Sequence, residues 1–300
     1  MYFLYDRTEQ IVGNTRAEKL IFKGKLVDSN NENGFVLQRD SFVTGSFSNL
    51  LSVAVCRVQK SIFNRVEERG DFDVKVLENK HPHIVKYYGC GEDENFTYKI
   101  KELCECSIYD ILEKHANKTV YFDDILNSLS NNDVLKQSLS GLSFIHGLWL
   151  YHGNIHPDNF LISKTDQNQF VIKLTDFKQE PIDNSNLTGT EVKEGWVSPD
   201  FYYQVNDQKT DAFMFGCFIF YLFSGNHPFG RDVADQRYGV KNKEHGVYKK
   251  SWIPLTLDNL CVSFKKKISQ PELDEANILI KELVVFSRKD RKKINEISLM

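Results

Sequence analysis

Residues Thr210 to Gly225, TDAFMFGCFIFYLFSG, are apolar on every side of the helix they would form, so the chain must supply an interior that surrounds them. The apolar run FMFGCFIFYLF from Phe213 is shorter than the roughly 20 residues a membrane span needs. It is therefore expected as a helix in the middle of a folded lobe. A chain of 300 residues, 41% hydrophobic and 26% charged, is long enough to build such an interior in one large domain or two lobes. The net charge of -3, with Lys and Arg scattered, excludes a nucleic-acid footprint and a polybasic membrane patch.

The start, MYFLYDRTEQ, is broken by Asp6 and Arg7 before any apolar run of signal length, and a cytoplasmic chain is expected. Six cysteines, mostly inside apolar segments, read as reduced, buried thiols. Cys104 and Cys106 form a CxC with no second pair, which excludes that kind of zinc site.

Two halves differ in their periodicity. KLIFKGKLV, GFVLQ, LSVAVCRV, IVKYYGC and FTYKIKEL are β-like runs, with one helix expected between the third and fourth, where Val74 and Leu77 could form its face. From about Ser107 helical spacing takes over, with Leu135, Leu139 and Leu142 on one stripe. Then FLIS and FVIKLTDF flank the turn KTDQNQ, a hairpin signal. The fold class is α+β: a small, mostly β part with one helix and a larger, mostly α part.

The order of short motifs resembles a eukaryotic protein kinase domain across nearly the whole chain: VAVCRV for the VAIK strand, HPHIVKYYG after helix C, KELC for the hinge, HGNIHPDN for HRDLKPxN, TDF for DFG, SPD for APE and DAFMFGC for the buried helix. GTEVKEGWVSPDF, KELCECSIYDIL, SGLSFIH and GNHPFG are most similar to the inositol-requiring enzyme kinases, sensors of the unfolded-protein response, with ribonuclease L as a more distant relative. The resemblance implies one two-lobed kinase-like domain over 1–300, with an N-lobe over 18–103 and a C-lobe over 104–300.

Phosphoryl transfer needs a phosphate-covering glycine loop, a strand lysine held by a helix C glutamate, two metal-binding side chains and an aspartate that orients the hydroxyl. By this resemblance LVDSNNENGFV keeps only Gly34 and Val36 of the glycine loop, and Asp28 would repel phosphate. Cys56 stands at the strand lysine, and Asp73 is the best match for its helix C partner, ahead of Glu67 and Glu68. Gly153, Asn154 and His156 replace the arginine, the aspartate and the lysine of the catalytic loop. Asn159 and Asp176 keep the two magnesium positions or, alternatively, brace the loop. Val36, Ala54 and Leu161 match positions around adenine, and Lys101, Glu102 and Cys104 fall at the gatekeeper and hinge. Leu77, His152, Phe177 and Asp211 match a stack joining the lobes, and Asp200 and Arg291 match a buried ion pair.

The resemblance thus implies a pseudokinase that acts by binding, dimerising or modulating, with at most weak ATP and magnesium binding. A protein partner is implied, either a second copy or an active related kinase. The alternative is a slow Ser/Thr kinase in which Lys101 or Lys178 replaces the lost strand lysine.

Overall fold

The computed structural model describes residues 2–11, 19–27, 36–37, 51–59, 80–114, 120–177, 196–200, 205–230, 254–256, 258–260 and 268–297. It divides into two units: Met1–Lys80 with Val85–Cys104, and His81–Ile84 with Glu105–Met300.

In the first unit the runs rich in Val, Ile, Phe and Tyr form strands β1 (Tyr2–Ile11), β2 (Lys19–Val27), β3 (Val36–Leu37), β4 (Leu51–Gln59), β5 (Tyr87–Glu92) and β6 (Phe96–Glu102). They make one six-stranded sheet in the order β3-β1-β2-β4-β6-β5. Val53, Val55, Tyr98 and Ile100 are its buried cluster, with Tyr88 and Phe96 packed against them. The guanidinium of Arg57 lies 4.5 Å from the Phe96 ring centre and 5.0 Å from that of Phe22, so its stem packs while its charge meets aromatic faces.

Two expectations change here. The N-lobe limits of 18–103 omit β1, which pairs antiparallel with β2 from Tyr2↔Val27 to Ile11↔Ile21. The setting of Val36 differs as well. β2 lies directly beside β4, and its antiparallel partner on the other side is β1. Val36 instead opens an edge strand that pairs in parallel with Tyr2 and Phe3. Gly34, the helix expected after β4 with Glu67, Glu68, Asp73 and Leu77, and Lys178 lie outside the described residues.

The second unit holds β7 (Cys106–Ser107), α1 (Ile108–Lys114), α2 (Val120–Ser128), α3 (Asn131–Gly147), β8 (Phe160–Lys164), β9 (Phe170–Leu174), α4 (Gln208–Ser224) and α5 (Gln270–Leu283). α3 starts where Ser130 and Asp133 cap each other's backbone N–H groups. The expected hairpin forms as β8 and β9, with Asn168 in the left-handed region at its turn. α4 is capped by Asp207, closed by a left-handed Gly225, and buried from Thr210 to Ser224. At Gly216 a Cβ would come within 2.6 Å of Val284 Cγ2, so only glycine admits this approach.

Arg291 is 1% exposed and is matched group by group. It donates to Asp200 Oδ2 at 2.5 Å and to the carbonyls of Val285, Lys209 and Phe286, and it lies over the Phe213 ring. The expected Asp200–Arg291 pair is therefore present. Among the described residues no helix is long and apolar enough to cross a membrane. Cys56 and Cys217 are buried free thiols, as expected, but Cys90 is exposed on the edge strand β5.

Candidate functional site

The segment between α3 and β8 is held from below by Asp211 on the first turn of α4. Its carboxylate is fully buried and accepts three hydrogen bonds: from His152 N at 2.6 Å, Gly153 N at 2.8 Å and His146 Nε2 at 2.8 Å. Gln208, one turn earlier, donates to the carbonyls of His146 and Leu150. A buried helix thereby holds the backbone of a loop through its side chains. The His152 ring rests on Phe177 with centres 4.7 Å apart, and its Nδ1 accepts from Asn154 N. Burial holds this imidazole down to about 4, although Asp211 pulls the other way, so it is neutral at pH 7.

The next four positions close on themselves. Asn159 Nδ2 donates to the Asn154 carbonyl at 2.8 Å and to His156 Nε2 at 3.1 Å, and His156 Nδ1 meets Asp158 Oδ2 at 3.0 Å. The carbonyl can only accept, so the amide nitrogen of Asn159 faces it. His156 is 7% exposed and engaged within the loop.

Asn154 is also buried; its Nδ2 donates to the Asp176 carbonyl at 3.4 Å, and among the described residues its Oδ1 has no hydrogen-bond partner. An amide there can orient a hydroxyl but cannot take up a proton at neutral pH. Asp176 follows β9 with a left-handed φ of 60°, and Thr175 N donates to the Asn159 carbonyl. Asn159 Oδ1 and the Asp176 carboxylate are hard oxygens of the kind that would hold a magnesium ion, which would neutralise phosphate charge if bound.

Residues 53–299 match the protein kinase domain family. The chain belongs to that family. It is 30% identical over 212 residues to the serine/threonine-protein kinase/endoribonuclease ire-1 of Caenorhabditis elegans, covering 66% of this chain and 21% of that protein. It is 29% identical over 213 residues to the sensor for unfolded proteins in the ER ire1 of Schizosaccharomyces pombe, covering 59% and 19%. Against the human serine/threonine-protein kinase/endoribonuclease IRE2 the figures are 29% over 247 residues, 76% and 25%. The chain thus spans about a fifth to a quarter of the length of these relatives.

As a kinase domain related to these sensors, the chain has the two-lobed α+β fold, and its site residues are divided between the two units. His152, Asn154, His156, Asn159, Leu161, Asp176 and Phe177 are brought together in the second, with Leu161 half-buried on β8. Cys56, Ala54, Lys101, Glu102 and Cys104 sit in the first, on β4, on β6 and just after it. Cys56 is 3% exposed, a small buried thiol. Asp158 and His146 were not foreseen. Their only signals were a carboxylate two residues from His156 and a histidine on the apolar stripe of α3.

Proposed function

We propose that this kinase domain works by binding rather than by phosphoryl transfer. The observation that carries the reading is the closed loop: Asn154 stands where a carboxylate would orient the hydroxyl, and the His156 ring is engaged by Asn159 and Asp158 within the loop. The loss of general-base function alone costs about 100-fold to 10,000-fold. The missing charge at Cys56 adds to it by leaving developing phosphate charge unmatched. The scaffold beneath is intact, with Asp211, His152, Phe177 and the Asp200–Arg291 pair all engaged. Such a domain is suited to occupying a dimer interface, with a second copy or an active relative, in the cytoplasm. The retained Asn159 and Asp176 oxygens support the second reading, slow transfer, with nucleotide and magnesium held weakly.

The test restores what is missing. The parent and the triple variant Cys56→Lys, Asn154→Asp, His156→Lys are compared for phosphate transfer from ATP with magnesium to themselves and to a generic Ser/Thr peptide. The variant is expected to exceed the parent by at least about 100-fold. A measurable parent rate that the three substitutions leave unchanged overturns the binding-only reading.

A further inference from the structure

Four residues of the second unit, His81–Ile84, are flanked in the sequence by Lys80 and Val85 of the first. Pro82 suits the second position of the turn they make, which Ile84 N closes on the His81 carbonyl at 3.2 Å. The turn is tied to β9. The His83 carbonyl accepts from Leu174 N at 2.9 Å, His83 Nδ1 meets the Ile172 carbonyl at 3.0 Å, and Ile84 bridges Leu174 in parallel. α3 packs against it as well: the His81 ring stacks on Phe144 with centres 4.7 Å apart, His81 Nε2 lies 3.5 Å from Ser140 Oγ, and a Cβ at Gly141 would come within 2.7 Å of the His83 carbonyl oxygen. β9 ends at Leu174, two residues before Asp176, so what pins Ile172 and Leu174 also sets where Asp176 and Phe177 begin.

The hydrogen bonds assign the protons on both rings. His81 Nδ1 accepts from His83 N at 3.2 Å, and a backbone N–H can only donate, so this nitrogen carries a lone pair and the ring is neutral. A carbonyl can only accept, so His83 Nδ1 carries its proton toward Ile172. A proton on His81 Nδ1 would set one N–H against another, so the turn and the His81 cation exclude each other. A His83 cation would keep its bond to Ile172, but its ring centre is 5.6 Å from that of His81. Among the described residues the charged neighbours are Lys173 on β9, beside His83, and exposed Lys80, next to His81 in the sequence; Ser140 and Phe144 on α3 are uncharged. These neighbours oppose further positive charge. Burial first, and then His83, hold His81 below its ordinary value, while burial and Lys173 lower His83 against the pull of the Ile172 carbonyl. Both rings are half-buried, within reach of protons from solvent.

We propose that His81 and His83 form an acid-released clasp on β9, which loosens the strand that presents Asp176 and Phe177 when the imidazoles take up protons. Both rings are neutral in the clasp, whereas a released segment takes up protons as the pH falls through about 6.5. The clasp is therefore complete above that pH and weakens below it. It acts on Asp176 whether the domain transfers phosphate or only binds.

The test is amide hydrogen exchange of the whole chain read at Leu174, with the ring C–H signals of both histidines followed by NMR from about pH 7.5 to 5. Phe218, in the buried middle of α4, reports global opening. Between about pH 7 and 5.5 the protection of Leu174, corrected for intrinsic exchange, is expected to fall at least about threefold more than that of Phe218, because release binds one or two protons. His81→Asn keeps an acceptor for His83 N as an Asx-turn, His83→Asn keeps a donor for Ile172, and neither side chain titrates. In the double variant, Leu174 protection should change with pH no more than that of Phe218. A parent in which Leu174 tracks Phe218 over this range overturns the proposal, as does an equal excess fall in the double variant. Should the variant not fold, the parent's ring signals decide: His81 titrating below 6.5 together with the loss of Leu174 protection supports the clasp. His81 titrating at 6.5 or above with the turn intact overturns it.

Discussion

Asp211→Ala should destabilise the domain by about 3–5 kcal/mol, read as a shift in its urea or guanidinium unfolding midpoint. The carboxylate is the acceptor for His152 N, Gly153 N and His146 Nε2, all inside the protein. Removing it strands three donors at once, and each buried donor without a partner costs roughly 1–3 kcal/mol. Asp211→Asn keeps one carbonyl oxygen and the shape but turns an amide N–H₂ toward donors, so it should fall between parent and alanine. A loss below about 1 kcal/mol for Asp211→Ala would show that the loop is held by something else.

Stability should also fall steeply in mild acid. Burial holds His152 down to about 4 and His227 down to about 3, both below the ordinary value of 6.5. Both are neutral when folded, whereas the unfolded chain takes up their protons as the pH drops through 6.5. Their contribution is therefore complete above about pH 6.5 and is lost as the pH falls toward 4 and 3. Each histidine adds a slope of up to about 1.4 kcal/mol per pH unit, and a total on the order of 3–5 kcal/mol, over its window. His227 packs edge-on to Trp196, and its Nδ1 accepts from Phe229 N. His227→Gln should remove one proton's share of the slope between pH 6.5 and 4 in denaturant titrations. An unchanged slope would mean that His227 is not kept neutral by the fold.

Much of this architecture could be read from residue patterns, and the exceptions have physical causes. The all-round apolar α4, the β8–β9 hairpin and the α3 stripe were legible because burial imposes a period on the sequence. β1 was missed because Asp6, Arg7, Thr8 and Glu9 break any alternation, and what defines it is pairing with β2. The catalytic-loop substitutions were plain in HGNIHPDN, but the way the loop closes on itself was not. It follows from an Asn159 nitrogen that meets both the Asn154 carbonyl and the His156 imidazole.

The most direct measurement is intact-protein mass spectrometry of the parent after prolonged incubation with ATP and magnesium, alongside ADP release in the presence of a Ser/Thr peptide. The expected result is no added phosphate on protein or peptide and no ADP above the protein-free background. Phosphate incorporation that disappears in Asp176→Ala would contradict it, and would make this chain a slow kinase rather than a binding module.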